Sequence, residues 1–244
     1  LEMPEVIKYL ISNLFPEYQY KDHNKVNLRS PFEKQLYAIK SNPTDQAIKY
    51  LEGRGINCDK LPPNAFYQNF SLDKKVDSVV FIDSSKTLIN KRFIELKHGR
   101  ENYCNKGILE NALYTKCFLD TKDTVFITEG VINTLSLFPT YSSVAIFSAS
   151  NRISKAAIEN YIQDKKVVIA LDNDKGGNEA AEVLFQNILD WDISVISVHR
   201  LKLTEKKDIN DLLVDGELSS FLKSKENYKQ LYPQYISDSK SERE

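Results

Sequence analysis

Short apolar runs alternate with helical stretches through the second half of the chain. The apolar runs cover residues 124–128, 143–147, 166–171 and 193–198, and the stretches with helical periodicity cover residues 131–138, 153–162 and 178–189. Strands that are apolar on both faces and separated by helices form parallel sheets that are covered on both sides. The pattern therefore predicts an α/β domain with a parallel four-strand sheet flanked by helices.

The first half has a different pattern of apolar and polar positions. Residues 44–53 show helical periodicity, and two strand-like runs, 78–83 and 91–96, face each other across a polar turn. We expect a smaller α+β domain over residues 1–118, the α/β domain over residues 119–222, and a polar tail over residues 223–244 that frays from Tyr228 onward.

Composition limits the classes of partner. The 244 residues include 33 Lys and Arg against 34 Asp and Glu, so there is no overall field that would attract a nucleic acid or a membrane surface, and any such partner must meet a local patch. The three cysteines contain no Cys-x-x-Cys pair, which argues against a disulfide framework and a zinc ribbon. No apolar stretch approaches the roughly 20 residues that span a bilayer. These features favour a cytoplasmic protein with no membrane partner.

Acidic residues follow two of the predicted strands. Glu129 follows the first strand, and Asp172 and Asp174 follow the third. Residues one apart on an extended segment point the same way, so the two aspartates can face one point while Asn173 turns aside. In an open parallel sheet, ligands bind beyond the carboxyl ends of the strands. We therefore expect three carboxylates in one crevice.

Converging carboxylates repel one another, and a divalent cation removes this cost. Oxygen ligands without nearby His or Cys favour Mg²⁺ or Mn²⁺. The glycines at positions 176 and 177 are predicted to permit the turn into the next helix. Taken alone, the Asp-x-Asp-x-Gly-Gly pattern is more typical of turns and helix N-caps than of a metal site. The Glu129–Gly130 pair at a second strand end is what favours the metal site.

These residues resemble the Toprim domain shared by bacterial-type primases, topoisomerases and certain nucleases. The resemblance rests on Glu-Gly at one strand end, Asp-x-Asp at another, and the segment KKDINDLL at residues 206–213. The segment AIKYLEGRGI at residues 47–56, followed by SVVFID, resembles the region before Toprim in DnaG-like primases of phages, plasmids and mobile elements.

The resemblance implies a role for each acidic residue. Asp172 and Asp174 would hold the metal ions, and Glu129 would either complete the metal shell or act as general acid and base. Asp208 would add to the acidic cluster, although it could instead only cap the helix over residues 209–213.

The sequence departs from the family pattern in two places. Asn133 stands where these primases often have aspartate, and residues 148–150 replace a glycine-containing turn. The N-terminal zinc ribbon of many such primases is not found, which fits either a truncated chain or a divergent enzyme.

Residues 86–106 form a local basic segment with six Lys and Arg against two Glu, an excess of four positive charges. We expect its charges to line one strand face and the following loop, as a phosphate-binding path towards the metal, with Phe93 and Tyr103 as base-stacking surfaces. The alternative is a solvated basic edge strand. The nucleic-acid-binding candidates are Lys91, Arg92, Lys97, Arg100 and Lys106.

Three functions are consistent with the sequence. The resemblance favours a DNA primase-type nucleotidyltransferase that makes short primers on single-stranded DNA from nucleoside triphosphates, with a replicative helicase as a candidate partner. The alternatives are a metal-dependent Toprim nuclease, in which water attacks, and a non-catalytic nucleic-acid-binding replication accessory protein.

Overall fold

The computed structural model of the protein describes residues 44–70, 76–95, 103–203 and 208–232. The described elements form two sheets in one compact unit. None of the described helices is long and apolar enough to cross a membrane.

The first sheet is antiparallel, with four strands in the order β1-β2-β3-β4. Helix α1 precedes it and packs against its core face through Ala47 and Leu51. The bounds are α1 Asp45–Glu52, β1 Tyr67–Phe70, β2 Val76–Ile82, β3 Leu88–Phe93 and β4 Tyr103–Gly107. The predicted α+β composition is confirmed; β1 and β4, which carry little apolar periodicity, were not predicted.

The second sheet has five strands in the order β6-β5-β7-β8-β9. Four strands are parallel, and β9 pairs with β8 in the antiparallel direction. The strands are β5 Thr124–Thr128, β6 Ser142–Ala145, β7 Lys166–Ala170, β8 Ser197–Leu201 and β9 Tyr228–Tyr232, and the helices are α2 Val131–Leu137, α3 Lys155–Ile162, α4 Lys175–Asp190, α5 Ile209–Val214 and α6 Leu218–Lys223.

Helices cover both faces of the parallel strands, as predicted. Helices α3 and α4 pack on the face that carries Val125 and Val167. Helices α2, α5 and α6 pack on the face that carries Phe126 and Val168. All seven residues of α2 are buried because its other side packs against the first sheet. Helix α2 therefore joins the two sheets into one core, and the predicted α/β fold class is confirmed.

Two sequence predictions need correction. The fourth strand was expected over residues 193–198 but begins at Ser197, whose partner Lys166 is the first residue of β7. Upstream of this pair the two segments share isolated backbone hydrogen bonds, from Ile196 to the Lys165 carbonyl and from Asp164 to the Ser194 carbonyl, which do not continue the parallel ladder. The tail was expected to fray from Tyr228, but Tyr228–Tyr232 forms β9, since the edge of β8 offers free backbone groups to a second strand. The predicted boundary at residues 118 and 119 lies between β4 and β5 and stays a prediction.

Candidate metal centre

Two adjacent strand ends bring the predicted acids to the same edge of the sheet. Strands β5 and β7 are neighbours, and Thr128 pairs with Ala170 at their carboxyl ends. Glu129 therefore leaves the sheet at the same level as Leu171, and Asp172 follows one residue later. The register places both acids where ligands of open parallel sheets bind.

Asp174 is the N-cap of α4. Its Oδ1 accepts a hydrogen bond of 2.7 Å from the backbone N–H of Gly177. Asn173 turns aside as predicted, because its Nδ2 donates to the carbonyl of Leu203 at 2.8 Å. The cap engages one oxygen of Asp174, and its role as a metal ligand stays a prediction.

Gly177 is required by close packing. A Cβ at Gly177 would lie 2.1 Å from the carbonyl oxygen of Asp172, a distance that no side chain permits. A Cβ at Gly176 would meet only Asp174 Oδ1 at 3.6 Å and Ala149 Cβ at 4.0 Å, which are ordinary contacts. The prediction that both glycines permit the turn therefore holds for Gly177 alone. The absent side chain lets the first turn of α4 rest on the backbone of Asp172.

Asp208 caps α5 through a capping box. Its Oδ1 accepts from the N–H of Asp211 at 2.8 Å, and its own N–H donates to Asp211 Oδ2 at 3.1 Å. The cap predicted as the alternative for Asp208 is confirmed. The same carboxylate also raises the pKa of Asp172, so it lies within electrostatic reach of the other acids.

Burial, and then nearby negative charge, raise the pKa values of Glu129, Asp172 and Asp208. Burial first, and then the charges of Glu129, Asp208 and Asp174, raise the pKa of Asp172 from 3.8 to about 6. Burial also raises the pKa of Glu129, against a backbone hydrogen bond from Ala149 that favours the charged form. The structure thus brings the four predicted acids into one electrostatic cluster in which negative charge is costly.

The chemistry of the donors fits a hard divalent cation. Glu129 Oε2 is buried and has no hydrogen-bond partner among the described residues. The cluster offers only oxygen ligands, which Mg²⁺ and Mn²⁺ prefer, and Mg²⁺ is commonly bound by one or two carboxylates that substrate phosphates and waters supplement. Within the described ranges, no three His, Cys, Asp or Glu side chains form a ready metal-binding group.

Asn133 connects the cluster to α5. This buried amide on α2 donates from Nδ2 to Asp172 Oδ1 at 3.4 Å and accepts the backbone N–H of Asn210 at 3.1 Å. Asn210 in turn donates to the carbonyl of Arg54 and to Ser136 Oγ. An aspartate at position 133 would add a fifth charge and lose the donor, so the departure from the family pattern has a structural reason here.

Arg200 on β8 is a site residue that the sequence analysis missed. Its guanidinium donates to the carbonyls of Ile169, Leu171 and Asp172 at 3.2, 2.9 and 3.1 Å, and to Asn178 Oδ1 at 3.1 Å. It therefore ties the end of β7 to the first turn of α4. In the sequence, Arg200 lies two residues after the apolar run 193–198. Because the fourth strand was predicted to end at residue 198, Arg200 was expected to lie outside the sheet.

Arg92 on β3 reaches the acidic cluster from the first sheet. A Cβ at Gly130 would lie 3.3 Å from Arg92 Nη2, so the guanidinium rests on the Glu129–Gly130 turn. It also lies 4.7 Å from the centre of the Tyr103 ring, and its buried Nε has no acceptor among the described residues. Burial lowers the pKa of Arg92, while Asp172 opposes that change.

The remaining basic candidates do not share this face. Arg92 pairs with Val79, which belongs to the core face, whereas Lys91 pairs with Val80 on the opposite face. Lys106 pairs with Ile89 and so lies on the Lys91 face. The expectation that the charges line one strand face is wrong, because adjacent strand residues alternate. Lys97 and Arg100 lie outside the described residues.

Comparison with known proteins agrees with this architecture. Residues 124–217 match the family model described as the Toprim domain. No curated protein sequence matches the chain significantly.

Several solved primase structures share the fold. The Aquifex aeolicus primase, with zinc-binding and RNA polymerase domains, gives a TM-score of 0.56 at 16% identity, over 77% of this chain and 57% of that one. A DnaG primase catalytic domain bound to single-stranded DNA gives 0.56 at 16% identity, over 93% and 80%. The primase fragment of the bacteriophage T7 primase-helicase gives 0.52 at 20% identity, over 70% and 71%. The chain thus spans little more than half of the Aquifex chain. Residues 124–217 thus match the Toprim domain model, within a chain that shares its fold with the catalytic cores of bacterial-type primases.

Proposed function

We propose that this protein is a DNA primase-type nucleotidyltransferase that makes short primers on single-stranded DNA by metal-dependent phosphoryl transfer. The observation that carries the proposal is the contact between Arg92 and the Glu129–Gly130 turn. It joins a cation of the antiparallel sheet to the acidic cluster of the Toprim domain. A triphosphate needs both charges, since its metal-binding oxygens meet the acids while its other oxygens need cations.

Asp172 and Asp174 are the proposed principal metal ligands, with Glu129 and Asp208 completing the negative charge. A bound Mg²⁺ or Mn²⁺ would neutralise charge on the triphosphate and lower the pKa of the attacking 3′-hydroxyl. Arg92 would pair with a phosphate oxygen through its buried guanidinium. Arg200 and Asn133 would hold the backbone and side chain of Asp172 in place. Glu129, whose pKa burial raises, is suited either to bind the metal or to hold a proton.

The proposed partners are supported by solved structures that share the fold. One structurally similar DnaG catalytic domain was solved bound to single-stranded DNA, which supports a single-stranded template here. The similar T7 fragment comes from a primase-helicase protein, which supports a replicative helicase as a partner. Nucleoside triphosphates are the proposed substrates.

A single assay separates this function from its alternatives. The protein is incubated with single-stranded DNA, labelled nucleoside triphosphates and Mg²⁺ or Mn²⁺. Template-dependent extension with release of pyrophosphate is the expected result. Cleavage of the DNA without a need for triphosphates would replace the proposal with a nuclease, and binding without either reaction would indicate an accessory protein.

The chain offers a matched control for the catalytic acids. Asp190 and Asp192 have the same one-residue spacing as Asp172 and Asp174, are exposed, and lie at the far end of α4. Asp172→Asn with Asp174→Asn should abolish extension, while Asp190→Asn with Asp192→Asn should leave it unchanged. Asn suits position 192 because the backbone there has a positive φ of 52°. Loss of extension in both double variants would point to a general charge effect.

A further inference from the structure

A cavity of about 670 Å³ lies at the amino ends of the parallel strands, away from the acidic cluster. Its floor consists of two rungs of the sheet, meaning two rows of residues that pair across β5, β7 and β8. Both rows lie on the sheet face that α2, α5 and α6 cover elsewhere. The first rung is Thr124, Lys166 and Ser197, which are the first residues of β5, β7 and β8. The described helices cover Phe126 and Val168 but leave Thr124, Lys166 and His199 partly exposed, so this end of the sheet forms part of the cavity surface.

The second rung and the walls add aromatic and apolar surface. Phe126, Val168 and His199 form the second rung, and Tyr141 and Tyr228 stand beside it. Phe126 and Tyr141 pack edge-to-face at 5.4 Å between ring centres, and His199 and Tyr228 do so at 6.3 Å. Phe126 is buried, whereas the half-buried rings of Tyr141, His199 and Tyr228 present aromatic surface to the cavity. A cavity of this volume is within the range of small-molecule sites.

The charge at this cavity is positive. Among the described residues, its lining includes the exposed Lys166 and Lys225 and no acidic residue. Neither lysine forms an ion pair or a side-chain hydrogen bond with any other described residue. Burial, and then the nearby charge of Lys166, lower the pKa of His199, so its imidazole is neutral at neutral pH and can exchange hydrogen bonds with a ligand.

We propose that this cavity is a second ligand site that binds a small aromatic phosphate of the nucleoside monophosphate class. The phosphate would pair with Lys166 and Lys225, and the planar ring would pack among Tyr141, His199 and Tyr228. The site is separate from the proposed catalytic centre, because the strands that line it begin here and end at the acidic cluster. The proposal does not depend on the proposed function.

Nuclear magnetic resonance of the full chain with adenosine monophosphate in EDTA tests the site. EDTA removes divalent cations, so the acidic cluster repels phosphate while the cavity does not. The chain has only three histidines, and a His199→Gln variant assigns the His199 ring signals. Saturable shifts of the His199 signals are expected with adenosine monophosphate. Adenosine, which lacks the charge, and ribose 5-phosphate, which lacks the base, should each bind at least about tenfold more weakly.

Substitutions decide the location. Lys166→Gln with Lys225→Gln should weaken adenosine monophosphate binding about tenfold or more. Lys49→Gln with Lys60→Gln removes the same charge from exposed positions of the first half and should have no effect. Asp172→Asn with Asp174→Asn should also leave binding unchanged. The proposal is overturned if the His199 signals do not shift, if adenosine binds as well as its monophosphate, or if the catalytic-acid variant rather than the lysine variant changes binding.

Discussion

The acidic cluster and the amino-end cavity lie at opposite ends of the parallel sheet, carry opposite charges and are built in different ways. At the carboxyl ends, three half-buried acids and the exposed Asp174 are held in place by helix caps, by Asn133 and by the four hydrogen bonds of Arg200. At the amino ends, exposed lysines stand over the sheet without acidic partners among the described residues. At the carboxyl ends, hydrogen bonds hold the acids close together although their charges repel. At the amino ends, no described ion pair or hydrogen bond fixes the lysine side chains. Substitutions at the acidic end should therefore change stability and function together, and those at the basic end should change ligand binding alone.

The largest effect is expected from the acids themselves. Asp172→Asn with Asp174→Asn should weaken Mn²⁺ binding more than about a hundredfold, since even residues that only support metal ligands are worth 10- to 100-fold. Isothermal titration measures the affinity, and circular dichroism checks that the fold is intact. Lys166→Gln with Lys225→Gln at the other end should leave Mn²⁺ affinity unchanged. If the acid variant binds Mn²⁺ normally, the metal site is elsewhere.

The frame of the acidic end depends on the glycine that rests on Asp172. Gly177→Ala should lower the free energy of unfolding by about 1–3 kcal/mol or more, because its Cβ would overlap the carbonyl of Asp172. Gly176→Ala is the matched control, one residue earlier in the same helix. It should be neutral or stabilise the protein by up to about 1 kcal/mol, because Ala favours helix and the space is open. Urea denaturation compares the two, and equal losses would show that the turn tolerates no side chain at either position.

Arg200 should link stability to metal binding. Arg200→Gln removes hydrogen bonds to three carbonyls and Asn178, so we expect about 1–3 kcal/mol less stability and about tenfold weaker Mn²⁺ binding. Arg200→Lys should recover only part of both losses, since an ammonium cannot span the same acceptors. A loss of stability with normal Mn²⁺ affinity would mean that Arg200 supports the sheet without positioning Asp172.

The pH dependence of stability should report the burial of Asp172 and its repulsion by the neighbouring acids. The raised pKa of Asp172 means that the folded protein holds a proton which the unfolded chain releases near pH 4. In EDTA, the free energy of unfolding should therefore fall by about 1 kcal/mol as pH rises from about 4 to about 6, after allowance for partial exposure. Asp172→Asn should flatten this slope, and Mn²⁺ should restore stability above pH 6. Denaturation series at fixed pH measure the effect, and an unchanged slope in the variant would assign it to other groups.

The sequence was enough to predict the parts that depend on local pattern. The apolar runs of the parallel strands predicted the sheet, and the acids at two strand ends predicted the cluster, because both follow from periodicity and from the geometry of strand ends. Arg200 and the amino-end cavity could not be predicted in this way. Arg200 acts through carbonyls of a neighbouring strand, and the cavity lies where the described helices leave Lys166 and Thr124 partly exposed. Such features depend on register and on which rungs the helices leave uncovered, which no local pattern contains.

The smallest effect concerns the basic residues of the first sheet. If a DNA template passes the acids beside Arg92, Arg92→Gln should reduce the magnitude of the log–log salt slope for single-stranded DNA binding by about 0.7. Lys91→Gln with Lys106→Gln should change the slope less, because both lysines lie on the other face. Fluorescence anisotropy at several salt concentrations in EDTA measures both slopes without contributions from metal binding. A larger effect of the lysine pair would place the template on the opposite face and leave Arg92 to the triphosphate alone, because one phosphate contact cannot be made from both sides of a sheet.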